Sequence, residues 1–353
     1  MKKVQKALFL TAAFVLCGSI ALGASGRSEM PEVVSFGTAG RMGLMDLHGK
    51  VVVPPRYLEV SPWSGGLVAA RNVKGQTVYL DGSGAEQLTL NPGWLGRSFQ
   101  KEGAWVQIDG KWGLIDQNKA FVISPTYDSV SDLGFQEGWA VVSSGNRWSF
   151  VGPSGEVLGG RTWAGLESFF GGLSKVSIDG TLTGLMDPTG EWVEEPTDKI
   201  FKIHSEGWYS VFEKSEPKVS DLRHKDGRRV KGPGVGSFLR AWEGGYLWVD
   251  SQDWRSFDEG GPKSAQLWID GLQISLPGLV GGWEVGSLLN LVVQFPDQGK
   301  KNLLVNRKGE ILRESQKESY TQAFGNLIRI NLPSSAMAVY YQHPSGRIIT
   351  PPL

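Results

Sequence analysis

Cysteine is all but missing from this 353-residue chain; the single one, Cys17, sits in the N-terminal segment. Once that segment is removed no thiol remains, which excludes disulfides, thiol catalysis and zinc–thiolate sites. Histidine is nearly as scarce, with four residues far apart: His48, His204, His224 and His343. Surplus charge is lacking too. The 36 Lys+Arg balance 36 Asp+Glu, whereas phosphate recognition draws on clustered cations, so no nucleic-acid partner is expected. Runs rich in Ala, Leu, Glu and Lys, which long helices need, hardly occur. Catalytic signatures are absent as well. There is no Walker loop, dinucleotide fingerprint, His-Glu-x-x-His or calcium loop, and Gly152-Pro153-Ser154-Gly155 reads as a hairpin turn and not as a nucleophile elbow. No catalytic residue, cofactor or metal ligand is expected, and no enzyme.

What the chain has in plenty is glycine and tryptophan, 48 and 14 residues. Gly at that level without a Gly-X-Y period, joined to abundant Trp, suits short aromatic strands linked by tight turns. The N-terminus has a different character. Lys2, Lys3 and Lys6 precede an apolar stretch from Ala7 to Leu16, and small residues follow at Ala21, Gly23 and Ala24. This pattern reads as an export signal over residues 1–24, with the protein bound for the periplasm or the exterior. The apolar run is shorter than the ~20 residues of a bilayer span, so no integral membrane span is expected after cleavage. Lipidation at Cys17 is a minor alternative, because Leu16 directly before it is a poor fit.

Residues 25–353 read as one repeat array, regular over about 31–244 and degenerate over 245–353. The anchors Leu44, Tyr79, Leu114, Phe150, Leu185 and Leu222 recur in steps of 35 to 37, each in an apolar strand that runs into a polar turn. Gly66, Gly103, Gly138, Gly172, Gly207 and Gly245 keep the same beat ahead of another apolar strand. Two markers in phase over some two hundred residues establish a period. About nine units are counted, with Ser251 to Ala265 as an insertion. Each unit reads as three short antiparallel strands. Its turn is capped by an Asp such as Asp46, Asp81, Asp116 or Asp187 and closed by a Gly. Lys119 takes the place of that Gly once, which predicts that Asn118 or a different turn carries the bend. Such ~35-residue units stack either as an open β-solenoid, the expected form, or as a closed propeller-like ring. Nine small blades would make an unusual ring, which favours the open form.

The unit Lys111-Trp112-Gly113-Leu114-Ile115-Asp116, followed by Pro125-Thr126-Tyr127-Asp128 and Phe135-Gln136-Glu137-Gly138-Trp139-Ala140, resembles the bacterial WG-repeat proteins. Pro55-Arg56-Tyr57, Lys101-Glu102-Gly103 and Ser205-Glu206-Gly207-Trp208 are partial echoes. Met42-Gly43 and Thr183-Gly184 lack the Trp, and Trp148-Ser149 lacks the Gly. The resemblance implies an all-β repeat architecture, common in exported or surface proteins, with no shared catalytic function or fixed ligand.

Four tryptophans in Gly-flanked connecting segments, Trp63, Trp94, Trp163 and Trp283, are the candidate ligand contacts, since an exposed indole offers a stacking platform. Packing between adjacent units is the alternative for them. The carboxylate clusters Glu194-Glu195 and Asp253, Asp258 and Glu259 are the places a glycan hydrolase would use. Solvated charge is the ordinary reading of these, and of the basic turn Lys225, Arg228, Arg229 and Lys231. The expected role is binding or scaffolding through protein–protein contacts. Cell-wall or glycan binding through the loop tryptophans is the alternative, and hydrolysis the less favoured third.

Overall fold

The protein is described by a computed structural model over residues 32–350. Residues 39, 214–220, 233–236, 250–262, 270–271, 286, 296–297, 317, 325–326, 332–338 and 343–344 lie outside the described part. So do the proposed signal, Cys17, His343, most of the insertion, Asp253, Asp258 and Glu259; of Trp283 only the backbone is described.

The described residues form antiparallel sheets in strict chain order. Blade 1 spans 33–57, blade 2 59–89, blade 3 95–127, blade 4 129–151, blade 5 165–197 and blade 6 200–231. A seven-stranded sheet over 237–315 holds blades 7 and 8, which share the long strand Leu272–Val285; blade 9 spans 319–349. Nine blades result.

Why the blades stack follows from the period-2 alternation of the strands. In the strand before each Asp turn, adjacent residues serve different cores. Leu44, Tyr79, Leu114 and Leu185 face the next blade, while Met45, Leu80, Ile115 and Met186 face the previous one. All eight are essentially enclosed. Buried clusters of this kind lie between every successive pair of blades. A further cluster joins Val34, Phe36 and Met45 of blade 1 to Leu327, Tyr340 and Ile349 of blade 9. There the Tyr340 hydroxyl donates to the Ser35 carbonyl at 3.0 Å. The ring is closed. The chain is therefore a β-propeller, and the expected open solenoid gives way to its rival. Once each blade buries both faces, a small rotation per blade brings the last face onto the first, which an open stack would leave wet.

Most blades also have four strands where three were expected. The strand missed is the first, such as Leu95–Gln100 or Ser129–Gln136, whose alternation is broken by bulges. In these blades it occupies the sheet edge at the axis. Among the described residues, blade 1 shows the second, third and fourth strands, Val33–Thr38, Arg41–Asp46 and Val51–Tyr57.

The recurrent residues have local reasons. Asp46, Asp81, Asp116 and Asp187 each accept, at one carboxylate oxygen, the N–H groups two and four residues on, at 2.8–3.1 Å. The Lys50 amide in particular holds Asp46 below its ordinary pKa. Lys119 itself adopts the left-handed conformation, φ 65°, so the bend is carried neither by Asn118 nor by another turn. Its amine donates to the Thr89 carbonyl of blade 2 at 2.8 Å, an added contact that offsets the strain. Glu137 serves the ring instead of its own blade: its carboxylate accepts the Gly172 N–H of blade 5 at 2.9 Å. Glu206 likewise accepts the Glu243 N–H of blade 7 at 2.7 Å.

Candidate functional site

The first strands of blades 3 and 4 do more than complete their sheets. Between Val130 and Phe135 the strand of blade 4 breaks register, spending three more residues than its partner, which pairs Val142 and Ala140. A bulge of that size needs its backbone groups satisfied elsewhere. Blade 3 supplies the partners. The Gln100 amide donates to the carbonyls of Leu133 at 3.2 Å and Phe135 at 3.1 Å, and its oxygen accepts the Phe135 N–H at 2.7 Å. Arg97 donates to the Ser131 carbonyl at 2.5 Å and pairs with Asp132 at 2.8 Å. Its guanidinium lies 4.4 Å from the centre of the Trp112 ring. Gly134, at φ 61°, lets the turn form, and Gln100 fills the space a side chain would need.

The bulge is thus built, and it projects Leu133, 61% exposed, beside Leu95, 50% exposed. Both line a cavity of about 900 Å³ at the axial edges of blades 2, 3 and 4, together with Trp63, Trp105, Gln136 and the ion-paired Glu59 and Arg71. Its lining mixes apolar side chains with charges of both signs.

Of the four candidate tryptophans, Trp63 reaches this cavity; it is half-buried against the core between blades 1 and 2. Trp94 is half-buried against the core of blades 2 and 3, 5.8 Å from the Phe121 ring. Trp163, 7% exposed, is edge-on to Trp192 in the core of blades 4 and 5 and has no face open to a ligand. The structure does not bring these three together. Leu133, Asp132 and Arg97 were missed by the sequence reading; the available signal was Gly134 inside a strand pattern, which marks a bulge.

The carboxylates separate as well. Glu194 accepts the Tyr209 hydroxyl at 2.8 Å and an Arg223 N–H at 2.7 Å, tying blade 5 to blade 6. Glu195, next in the same strand, points to the other face and is exposed. The pair therefore does not share a cleft. In the basic turn, Arg228 is more than solvated: it pairs with Glu243 and Asp226, both at 2.8 Å, and covers the Trp208 ring. His48 is exposed in its turn, whereas His224 is buried and meets the Glu206 carbonyl at 2.8 Å. Among the described residues no three His, Cys, Asp or Glu side chains gather as a metal site.

His204 is enclosed, with Nε2 2.6 Å from the Ser210 hydroxyl and Nδ1 without a partner. Burial, then the Lys202 and Arg240 cations, hold its pKa well below 6.5. A depressed histidine stabilises the fold above its unfolded pKa, near 6.5, and the contribution is lost as pH falls beneath it. Stability should decline by up to about 1.4 kcal/mol per pH unit below ~6.5 from this group. Urea midpoints measured from pH 7.5 to 5 check this, and His204→Asn should flatten the slope.

A family model for the WG containing repeat matches residues 42–73 and 112–148. This is a WG-repeat protein. The first matched segment runs from the third strand of blade 1 to just past the second strand of blade 2, and the second from the third strand of blade 3 to the start of the third strand of blade 4. The WG repeat is therefore out of phase with the blade, and every copy ties two neighbours covalently. No curated protein matches the sequence. Among solved structures, one titled as the eukaryotic initiation factor has a TM-score of 0.55 at 11% identity, covering 87% of this chain and 92% of its own. AztD from Citrobacter koseri has a TM-score of 0.39 at 12% identity, covering 90% and 94%. The first likeness shows a shared fold. No helix among the described residues is long and apolar enough to cross a membrane.

Proposed function

We propose that this WG-repeat propeller is an exported, non-catalytic binding protein that holds a segment of a partner protein in the axial cavity of blades 2–4. The carrying observation is the blade 4 bulge. Three extra residues, fixed by the Arg97 and Gln100 side chains of the preceding blade, keep a leucine in water. A protein gains nothing in stability from exposing Leu133; the gain comes when a partner covers it. The pre-fixed backbone means that little ordering entropy is lost on binding. Export rests on the basic and apolar N-terminal segment.

The test is retention of envelope proteins on immobilised protein. Leu133→Asp should weaken retention at least tenfold, while Val73→Asp, at an exposed position that does not line the cavity, should leave it unchanged. Equal retention by both variants removes the cavity from the proposal. Glycan binding is the second reading, supported by Trp63 at the cavity wall. Peptidoglycan pelleting that survives Trp63→Ala together with Trp94→Ala, Trp163→Ala and Trp283→Ala ends it.

A further inference from the structure

The cavity of blades 2–4 carries more than its leucines, and its other groups narrow what it can hold. Ion pairs stand along the axial halves of these blades, and in each the carboxylate is the outer partner. The Arg97 guanidinium lies against the Trp112 ring and is tied to the Ser131 carbonyl, which leaves its side chain 24% exposed. Asp132, paired with it at 2.8 Å, is 97% exposed. Glu59 likewise stands out further than Arg71, its partner across the first two strands of blade 2. The surface continues into blade 5, where the Ser131 and Ser168 hydroxyls are 3.0 Å apart. Beside Ser168, Glu167 pairs with Lys175 at 2.5 Å and is again the more exposed of the two. Long cationic side chains ordinarily carry their charge out into water. Here the cations lie lower, so a molecule arriving at the axis meets carboxylate oxygens first.

Deeper in the wall the imbalance is reversed. Three residues that line the cavity hold a buried N–H with no acceptor among the described residues: Trp63 and Trp105 at Nε1, and Arg71 at Nε. Trp105 is itself almost wholly enclosed. Donors short of acceptors inside, and carboxylates facing water outside, call for an occupant that brings acceptors inward and cations outward. An extended peptide has a carbonyl at every residue, and Lys or Arg side chains supply the cations. Leu95 and Leu133 add the need for an apolar side chain to cover them. A neutral sugar offers hydroxyl acceptors but no cation. An acidic segment would set like charges against Asp132, Glu59 and Glu167.

We infer that the segment held here is extended and basic, with Lys or Arg flanking an apolar residue that settles against Leu95 and Leu133. The inference rests on the cavity being the site of partner binding. The cations of the segment meet the outer oxygens of Asp132, Glu59 and Glu167, each of which is already held by its own Arg or Lys. Little side-chain freedom is therefore lost on contact. The leucines supply affinity, and the carboxylates choose the partner and speed its arrival.

Selection of phage-displayed random dodecapeptides on the immobilised chain tests this. Recovered sequences should carry Lys or Arg within about two positions of Leu, Ile or Phe roughly fivefold more often than the unselected library. On Asp132→Asn that excess should fall about threefold, with apolar residues still enriched. Glu314→Gln, which removes a paired carboxylate from the fourth strand of blade 8, should change nothing. Leu133→Ser separates the two claims. A pool that depends on Leu133 but has no excess of cations overturns the basic segment and leaves the binding site standing. A pool unchanged by Leu133→Ser, or none above blank resin, overturns both. Peptidoglycan retention lost in Leu133→Ser overturns the segment in favour of a glycan. A concentration-dependent dimer lost in the same variant overturns it in favour of a second copy.

Discussion

Replacing Trp105 with Ala should destabilise the ring by about 4 kcal/mol, in the range for emptying a buried indole site. Trp105 is 1% exposed in the second strand of blade 3, and it packs both on the fourth strand of its own blade and on blade 4. It stacks on Phe135 of blade 4 at 5.6 Å and 25°, and meets Tyr127 edge-on at 6.4 Å. Aromatic pairs of this geometry add about 0.5–1.5 kcal/mol each beyond the buried area. Because Phe135 closes the Leu133 bulge, the void would also loosen the cavity wall. Trp105→Phe should cost far less, on the order of 1–2 kcal/mol, because Nε1 has no hydrogen-bond partner to lose. Urea unfolding followed by far-UV circular dichroism gives both numbers. A loss under about 1 kcal/mol for Trp105→Ala would mean that the blade 3–blade 4 interface does not hold the ring.

The period, the all-β class and the count of nine units were legible because the third strand is buried on both faces. That demand puts paired apolar residues such as Leu114-Ile115 or Leu185-Met186 at every step. Ring closure was not legible. It depends on the rotation between blades, which packing sets and no single repeat encodes. The first strands escaped notice for a different reason: Ser129–Gln136 gives up its alternation to a bulge whose backbone is satisfied by side chains 33 to 35 residues earlier. The same holds for the candidate site. Trp63 is conspicuous in sequence, whereas Leu133 matters only because Gln100 and Arg97 hold its backbone out of the ladder. Glu137 looked like part of a motif, and its reason lies in the next blade, at the Gly172 amide.

Gly113→Val should destabilise the protein by about 3 kcal/mol or more, the upper end for overpacking, because the obstruction is backbone and cannot rotate away. A Cβ at Gly113 would lie 2.6 Å from the Ile123 carbonyl oxygen, 2.8 Å from Pro125 N and 3.0 Å from Ser124 C. The cause is a bulge in the fourth strand: Trp112 pairs with Tyr127 and Leu114 with Ile123, so the segment through Pro125 folds over the glycine. Gly43 meets the Pro54–Pro55 segment and Gly184 the Pro196 segment in the same way, with Met42 pairing Tyr57 and Thr183 pairing Thr197. The Gly of the WG motif and the Pro-x-Tyr that follows are thus two halves of one contact, which explains why they travel together while the Trp is dispensable. Gly165→Ala is the control, since its nearest neighbour would be the Ser177 Cβ at an ordinary 3.6 Å. Comparable thermal midpoints for Gly113→Val and Gly165→Ala would break the link between the WG glycine and the bulge. A midpoint lowered only in Gly113→Val would assign the motif to the close approach of two strands inside each blade.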